Sequence, residues 1–239
     1  MSRSQNVFVL TGAGISAASG RGKFRDKNGE GIWAKFDPMK LATPEAFARD
    51  PETVLNFYDL RRRNLLNAKP NAAHRALARL EQALTARGGH LTLVTQNIDD
   101  LHERAGSRRI IHMHGELLKA RCGGCNTVRP WRDDLTVSHV CPDCGSAGGL
   151  RPHVVWFGEM PMHMGDIDRA LRSADLFVAI GTSGAVYPAA GFVAEARGYR
   201  VRTCEINLEA ADNAELFDEE RLGRASETVP AWVDELLGP

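Results

Sequence analysis

The chain has no apolar run long enough to cross a membrane, and its N-terminal part offers only Val7–Leu10 before a glycine turn, too short for a secretory signal core. It also lacks an excess of either charge. Lys+Arg and Asp+Glu both number 30, so no overall field holds a polyanion such as nucleic acid or an anionic membrane surface. A Gly-Lys-Ser/Thr phosphate loop is missing, which argues against a P-loop nucleotide hydrolase. There is no internal repeat and no low-complexity tail. Together these absences read as a cytoplasmic monomer without nucleic-acid or membrane partners. In a reducing compartment its five cysteines are thiols or metal ligands rather than disulfides.

What is present is enough for one large core and a small appended module: 239 residues, 43% of them hydrophobic. Four short, β-branched runs each end abruptly in small or polar residues. They are Val7–Leu10 before Thr11-Gly12, Leu91–Val94 before Thr95-Gln96-Asn97, Leu176–Ile180 before Gly181-Thr182-Ser183, and Val201–Ile206 before Asn207. Such runs suit strands buried on both faces. Helical patterns lie between them, including one that opens on the cap residue Asn71 and closes near Gly88-Gly89, and others over Met164–Ala174 and Pro188–Arg197. The alternation predicts an α/β fold with a doubly wound, parallel, Rossmann-like sheet, whose ligands sit beyond the carboxyl ends of the strands.

Two segments break this rhythm. A helix is expected from Thr43-Pro44-Glu45 to about Asn67, and residues 119–150 are rich in Cys, Gly, Pro and Asp but poor in core residues. The expected division is a Rossmann-like domain of residues 1–36, 72–118 and 151–239. A helical module (37–71) and a zinc-ribbon module (119–150) form the smaller inserted domain.

Cys122-Gly-Gly-Cys125 and Cys141-Pro-Asp-Cys144 are two knuckles fifteen residues apart, a spacing that lets four thiolates surround one tetrahedral Zn²⁺. Four sulfurs close the site, so the metal is structural and takes no part in chemistry. Cys204, inside an apolar strand pattern, reads as an inert buried thiol.

Gly12-Ala13-Gly14-Ile15-Ser16 follows the first run directly, where glycines let backbone approach a pyrophosphate. It departs from the ordinary dinucleotide fingerprint: Ala17 stands where the third glycine belongs, and Gly20 follows instead. The chain then enters a polar, glycine-rich loop from Gly20 to Trp33, suited to covering a ligand.

These elements, with Phe24-Arg25, Thr95–Asp99, His114-Gly115, the two knuckles, Val154–Glu159, Gly181–Ser183 and Asn207–Glu209, closely resemble the sirtuin family in order and interval over nearly the whole chain. Tyr58 and Arg61, with His112-Met-His-Gly-Glu-Leu117 and Arg151–Pro161, make it most similar to the bacterial CobB-type, class III members. The resemblance implies an NAD-dependent protein-lysine deacylase: nicotinamide leaves, the acyl oxygen attacks the ribose anomeric carbon, and O-acyl-ADP-ribose is released. It assigns catalysis to His114, as base, and Asn97. It assigns NAD to Gly12, Ala13, Gly14, Ile15, Ser16, Ala17 and Gly20, to Phe24, Arg25 and Trp33, and to Gln96, Asn97, Ile98 and Asp99. Around the adenosine half stand Gly181, Thr182, Ser183, Asn207, Leu208, Glu209 and Ala225, with Asn207 or Glu209 on the ribose hydroxyls.

The acyl-lysine peptide is expected as an added strand between Val155–Glu159 and Gly184–Tyr187, with Val155, Phe157 and Gly158 among its contacts. Tyr58 and Arg61 stand three apart on a helix and share a face. A phenol and a guanidinium fork suit an acyl chain ending in carboxylate, which adds succinyl- and malonyl-lysine to acetyl-lysine as substrates. Arg62 and Arg63 read as surface charges, and His112 receives no role.

One stretch departs from the family. Arg21-Gly22-Lys23 stands where most of the family has Ile-Pro followed by Asp or Thr before Phe24-Arg25, and a glycine in place of proline raises the cost of ordering the loop over NAD by up to roughly 1 kcal/mol. The added positive charges partly offset this. Among rival classes, a hydride-transferring dehydrogenase shares the glycine turn but leaves the thiolate module unexplained. A zinc-ribbon adaptor explains the cysteines but leaves the crevice idle and fits poorly with zero net charge. Mono-ADP-ribosyl transfer is the nearest competitor among enzymes.

Overall fold

The computed structural model describes residues 5–19 and 37–238. In chain order the strands are β1 (Asn6–Thr11), β2 (His90–Thr95), β3 (Ile110–His112), β4 (Gly115–Cys122), β5 (Val128–Pro130), β6 (Leu150–Val154), β7 (Leu176–Ile180), β8 (Arg202–Asn207) and β9 (Glu219–Leu222). The α-helices are α1 (Pro38–Leu41), α2 (Pro44–Arg49), α3 (Pro51–Asn67), α4 (Ala72–Ala86), α5 (Leu101–Ala105), α6 (Met164–Arg172), α7 (Phe192–Gly198) and α8 (Ala225–Leu237). Short 3₁₀ turns at Ala13–Ser19, Ala189–Gly191 and Ala214–Leu216 complete the description.

Six strands form one parallel sheet in the order β3-β2-β1-β7-β8-β9. Strand order reverses between β1 and β7, so the loops that follow these two strands flank the crevice where such sheets bind ligands. Alternation along β1 sends Val7 and Val9 to one face and Phe8 and Leu10 to the other. The first face is covered by α4 and α8 through Leu77, Leu80, Val229 and Trp232, the second by α6 and α7 through Ile167, Leu171, Phe192 and Val193. Both faces being buried explains why these strands read as continuous apolar runs. The edge strands β3 and β9, short and partly polar, lack such runs and were not legible.

The helix expected from residue 43 to 67 is two helices. Thr43 caps α2 through a bond from the Ala46 amide, and Asp50 caps α3 through one from Thr53. Asp50 and Pro51 break the chain, because proline at the first helical position cannot extend the preceding helix. The α4 start matches its expectation: Asn71 accepts from the Ala73 and His74 amides in a capping box, and Gly88 at φ +76° follows the helix's end.

A second, antiparallel sheet, β5-β4-β6, carries the cysteine knuckles. One apolar cluster packs α1–α3 against Ile98, Leu101, Leu117, Val154 and Trp156, and another packs Leu55 against Ala120, Leu135 and Leu150 beside Cys122 and Cys141. Arg62 overturns its reading as a surface charge: it is fully buried. Its guanidinium pairs with Asp59 and donates to the carbonyls of Leu117 (3.2 Å) and Asp133 (3.2 Å). Asp59 in turn accepts the Leu135 amide at 3.0–3.1 Å. The pair thus ties α3 to the cysteine module through Nε and Nη1, while Arg62 Nη2 has no partner among the described residues. Arg63 is exposed as expected.

Candidate active site

The loops after β1 and β7 meet backbone to backbone. Gly12 N donates to the Ile180 carbonyl (3.0 Å) and Gly14 N to that of Gly181 (2.9 Å). A Cβ on Gly12 would lie 2.6 Å from the Gly181 oxygen, and one on Gly181, at φ +64°, would lie 2.4 Å from Ile15 N. These glycines are therefore required by the packing of the two loops, a demand that a pyrophosphate-binding reading alone does not include.

Asn97 sits just beyond β2, buried, with its amide NH₂ donating to the Gly12 carbonyl at 3.0 Å and its backbone N–H to Thr95 Oγ1 at 3.0 Å. The carboxamide oxygen is thereby left as the acceptor that Asn97 offers. Thr95 also accepts from the Thr11 hydroxyl (2.9 Å), and Thr11 faces His102 Nε2 at 3.1 Å. With the Thr11 proton committed to Thr95, His102 is the donor there. Burial and the nearby His74 and His112 push His102 well below the usual imidazole range, so it stays neutral. The His74 ring packs against it at a tilt of 55° with centroids 4.8 Å apart and contacts Ser16 Oγ at 3.4 Å, while Asn71 holds the Ile15 carbonyl (2.7 Å). This buried network fixes the turn at Ala13–Ser19 against the Asn97 loop. Asp99, buried just before α5, accepts from Leu101 N at 3.2 Å.

His114 lies in the turn between β3 and β4, half-buried, with Nδ1 3.0 Å from the Gln96 carbonyl. A carbonyl only accepts, so Nδ1 carries the proton and Nε2 is the free base. Burial holds its pKa below the usual value, with the Gln96 bond opposing. His112 ends β3 and has different partners: Glu103 at 2.6 Å and Glu116 at 3.6 Å. Burial alone would lower its pKa, but the hydrogen bond and charge of Glu103, with the charge of Glu116, carry it above the usual value.

At the other end of the crevice, Asn207 donates to the Thr182 carbonyl (2.6 Å) and to Glu205 Oε1 (2.7 Å), which also accepts the Ala211 amide (2.9 Å). Glu205 is fully buried, which pushes its carboxyl up. It was not singled out in the sequence, although an acidic residue within the apolar run Val201–Ile206 was the available signal. Leu208 and Glu209 are exposed, and Ala225 opens α8. Cys204 is buried with its thiol pushed up to about 12 by burial, as expected of an inert thiol.

Tyr58 and Arg61 are both buried on α3, with the guanidinium 5.5 Å from the Tyr58 ring and 5.4 Å from that of Phe57. Trp156 is buried and Phe157 exposed, both in the turn that follows β6. Val155 N bonds the His114 carbonyl and Phe157 N that of Ala42, both at 2.9 Å. Gly158 stands at φ +89°, and among the described residues its amide has no partner. The four cysteine sulfurs lie within 4.8 Å of one another. Cys122–Cys144 and Cys125–Cys141 are each 3.7 Å apart, close to the ~3.8 Å edge of a tetrahedron with Zn–S bonds of about 2.3 Å. The Gly124 amide donates to Cys122 Sγ at 3.3 Å, as suits a thiolate. This donor set fits zinc. Gly20, Phe24, Arg25, Trp33 and the Arg21-Gly22-Lys23 departure lie outside the described residues.

A model described as the Sir2 family matches residues 12–188. An NAD-dependent protein deacylase of Caulobacter vibrioides is 60% identical over 231 residues, covering 97% of this chain and 96% of the relative. The NAD-dependent protein deacylase SIR2rp3 of Leishmania major is 54% identical over 235 residues, covering 97% and 95%. Among solved structures, a Sir2 homolog–NAD complex aligns with a TM-score of 0.84 at 39% identity, covering 97% of this chain and 90% of that one. A Sir2 bound to acetylated peptide aligns at 0.79 and 28% identity, covering 98% and 94%.

Proposed function

The chain belongs to the Sir2 family, and from that membership we infer that it is an NAD-dependent protein-lysine deacylase that releases nicotinamide and O-acyl-ADP-ribose. Bound NAD supplies a ribosyl carbon carrying a good leaving group. The residues that would hold it are Gly12–Ala17, Gln96–Asp99, Gly181–Ser183, Asn207–Glu209 and Ala225, together with Gly20, Phe24, Arg25 and Trp33. The observation that carries the reaction is His114: a neutral imidazole with its tautomer set by the Gln96 carbonyl, so that Nε2 takes a proton from a ribose hydroxyl. Asn97, oriented through Gly12, presents its oxygen to the leaving carboxamide or to ordered water.

Acylated lysines of proteins are the substrates, in keeping with the acetylated peptide bound by a solved Sir2 structure. Because Val155 and Phe157 have committed their amides, the added strand is held here through Gly158 N–H and neighbouring carbonyls, with the exposed Phe157, Val186 and Tyr187 beside it. Tyr58 and Arg61 extend the substrate range to succinyl- and malonyl-lysine. A structural Zn²⁺ on Cys122, Cys125, Cys141 and Cys144 belongs to the small domain formed by residues 37–71 and 119–150. Cytoplasmic residence and a monomeric state complete the proposal; among the described residues no helix is long and apolar enough to cross a membrane.

The test is one peptide in acetyl-lysine and succinyl-lysine forms, with Arg61→Met beside the unaltered chain. Desuccinylation should fall by on the order of 10- to 100-fold in the variant, mainly through KM, with deacetylation nearly unchanged. Equal desuccinylation by both proteins would remove Arg61 from acyl recognition.

A further inference from the structure

The Tyr58 hydroxyl is not free to choose its role. Trp156 Nε1–H donates to it at 2.9 Å inside the core, and an indole N–H can only donate. The phenol oxygen therefore acts as acceptor toward Trp156, and its own proton points elsewhere. Among the described residues the Tyr58 hydroxyl makes no other hydrogen bond. Burial raises the phenol's pKa, so that proton is retained across the neutral range.

Trp156 is itself clamped on every side. Its backbone N–H donates to Glu159 Oε2 at 2.8 Å, its ring lies 3.4 Å beneath the Arg151 guanidinium, and the Phe47 ring is 5.3 Å away. Arg151 is held in turn by both Glu159 oxygens (2.7 and 2.9 Å) and by the Val154 carbonyl (2.8 Å). Arg151 on one face of the indole and Phe47 beside it hold its N–H toward Tyr58. A cation over its π-face draws electron density from the ring, which strengthens the N–H as a donor. A stronger donor to the phenol oxygen makes the phenol O–H a stronger donor in its turn.

We propose that Trp156 is a positioning residue that fixes the Tyr58 hydroxyl as a donor toward the acyl chain, so that the pocket selects acyl groups ending in a hydrogen-bond acceptor, a carboxylate above all. The inference rests on the reading of Tyr58 and Arg61 as the acyl-recognition pair and adds the source of their polarity. A terminal carboxamide, which offers both donors and an acceptor, gains less from a donor-only hydroxyl. A purely apolar acyl end leaves the phenol proton unpaired in a buried site. Without the indole donor the hydroxyl is free to rotate and accept, and the distinction between carboxylate and carboxamide narrows.

The experiment replaces Trp156 with β-(3-benzothienyl)alanine, which keeps the ring and its stacking but substitutes sulfur for N–H; Trp156→Phe is the simpler companion. Rates are measured on one peptide carrying acetyl-, succinyl- or succinamyl-lysine. The kcat/KM for succinyl-lysine should fall on the order of tenfold through KM, acetyl-lysine should stay within about twofold, and the succinyl-to-succinamyl ratio should shrink. In a Tyr58→Phe background the same replacement should change the succinyl rate by less than about twofold, because its target hydroxyl is gone.

A merely structural tryptophan would lower all three substrates together and act equally in both backgrounds, which overturns the proposal. An unaltered succinyl-to-acetyl ratio in the benzothienyl variant overturns it as well, while leaving the acyl-pair reading intact. An unsubstituted chain that does not desuccinylate refutes that reading, and this inference falls with it.

Discussion

At the scale of single residues, the proposed chemistry depends on which nitrogen of His114 is bare. Its Nδ1–H is committed to the Gln96 carbonyl and burial lowers its pKa, so the base form persists to lower pH than for a solvated imidazole. The sign follows directly. Above the usual value of about 6.5 the side chain is neutral in folded and unfolded chains alike; as pH falls further the unfolded chain protonates first, and stability is lost toward and through the depressed folded value. The pH profile of kcat/KM should be level from neutral pH downward, with its acid limb below about 6.5. An acid limb above pH 7 would assign it to another group. His112, two residues away, cannot substitute, because Glu103 and Glu116 favour its charged form. The two histidines look alike in His112-Met-His114, and only their partners separate acid from base.

At the scale of elements, α3 has two tasks. One face carries Tyr58 and Arg61, and the pair one residue further on, Asp59 and Arg62, is joined to the Leu135 amide. Asp59→Ala leaves a fully buried guanidinium without its counter-charge and should cost about 3–5 kcal/mol. Hydrogen exchange should then show the Leu135 region opening before β1 and β2. A loss below about 1 kcal/mol would mean that the pair does not hold these elements together.

Periodicity could not reveal this. Arg61-Arg62-Arg63 is uniform in sequence, yet its members are respectively a buried cation beside the Phe57 and Tyr58 rings, a buried tie and a solvated charge. Charge runs normally face water, and the exception required a partner 71 residues away at Asp133. The break at Asp50 was more accessible, because Asp-Pro is a cap followed by a first-turn proline. The paired glycines and the four long strands were legible because their patterns are local. Trp156 gains its role only through a contact distant in sequence, with Tyr58, and Glu205, bonded locally to Asn207 and the Ala211 amide, reaches the Thr182 loop only through Asn207.

At the scale of the whole molecule, the parallel sheet owns a large core on both faces, whereas the cysteine-bearing end of the second sheet packs on a small cluster around Leu135 and Leu150. A module so poor in apolar burial depends on its metal. Elemental analysis should find one zinc per chain. Chelation should raise exchange in β4–β6 while β1, β2 and β7 remain protected. Simultaneous loss of protection in both sheets, or none in either, would contradict this division.

The same arrangement places His114 at the junction of the two sheets, directly between β3 and β4. The most direct measurement of the central claim is product stoichiometry by mass spectrometry, with an acyl-lysine peptide and NAD supplied to the unaltered chain and to His114→Tyr. Nicotinamide, deacylated peptide and O-acyl-ADP-ribose should appear in equal amounts from the unaltered chain and fall by at least about a hundredfold in the variant. Release of the free acid without acyl-ADP-ribose, ADP-ribose transferred to protein instead, or full activity in His114→Tyr would contradict the account.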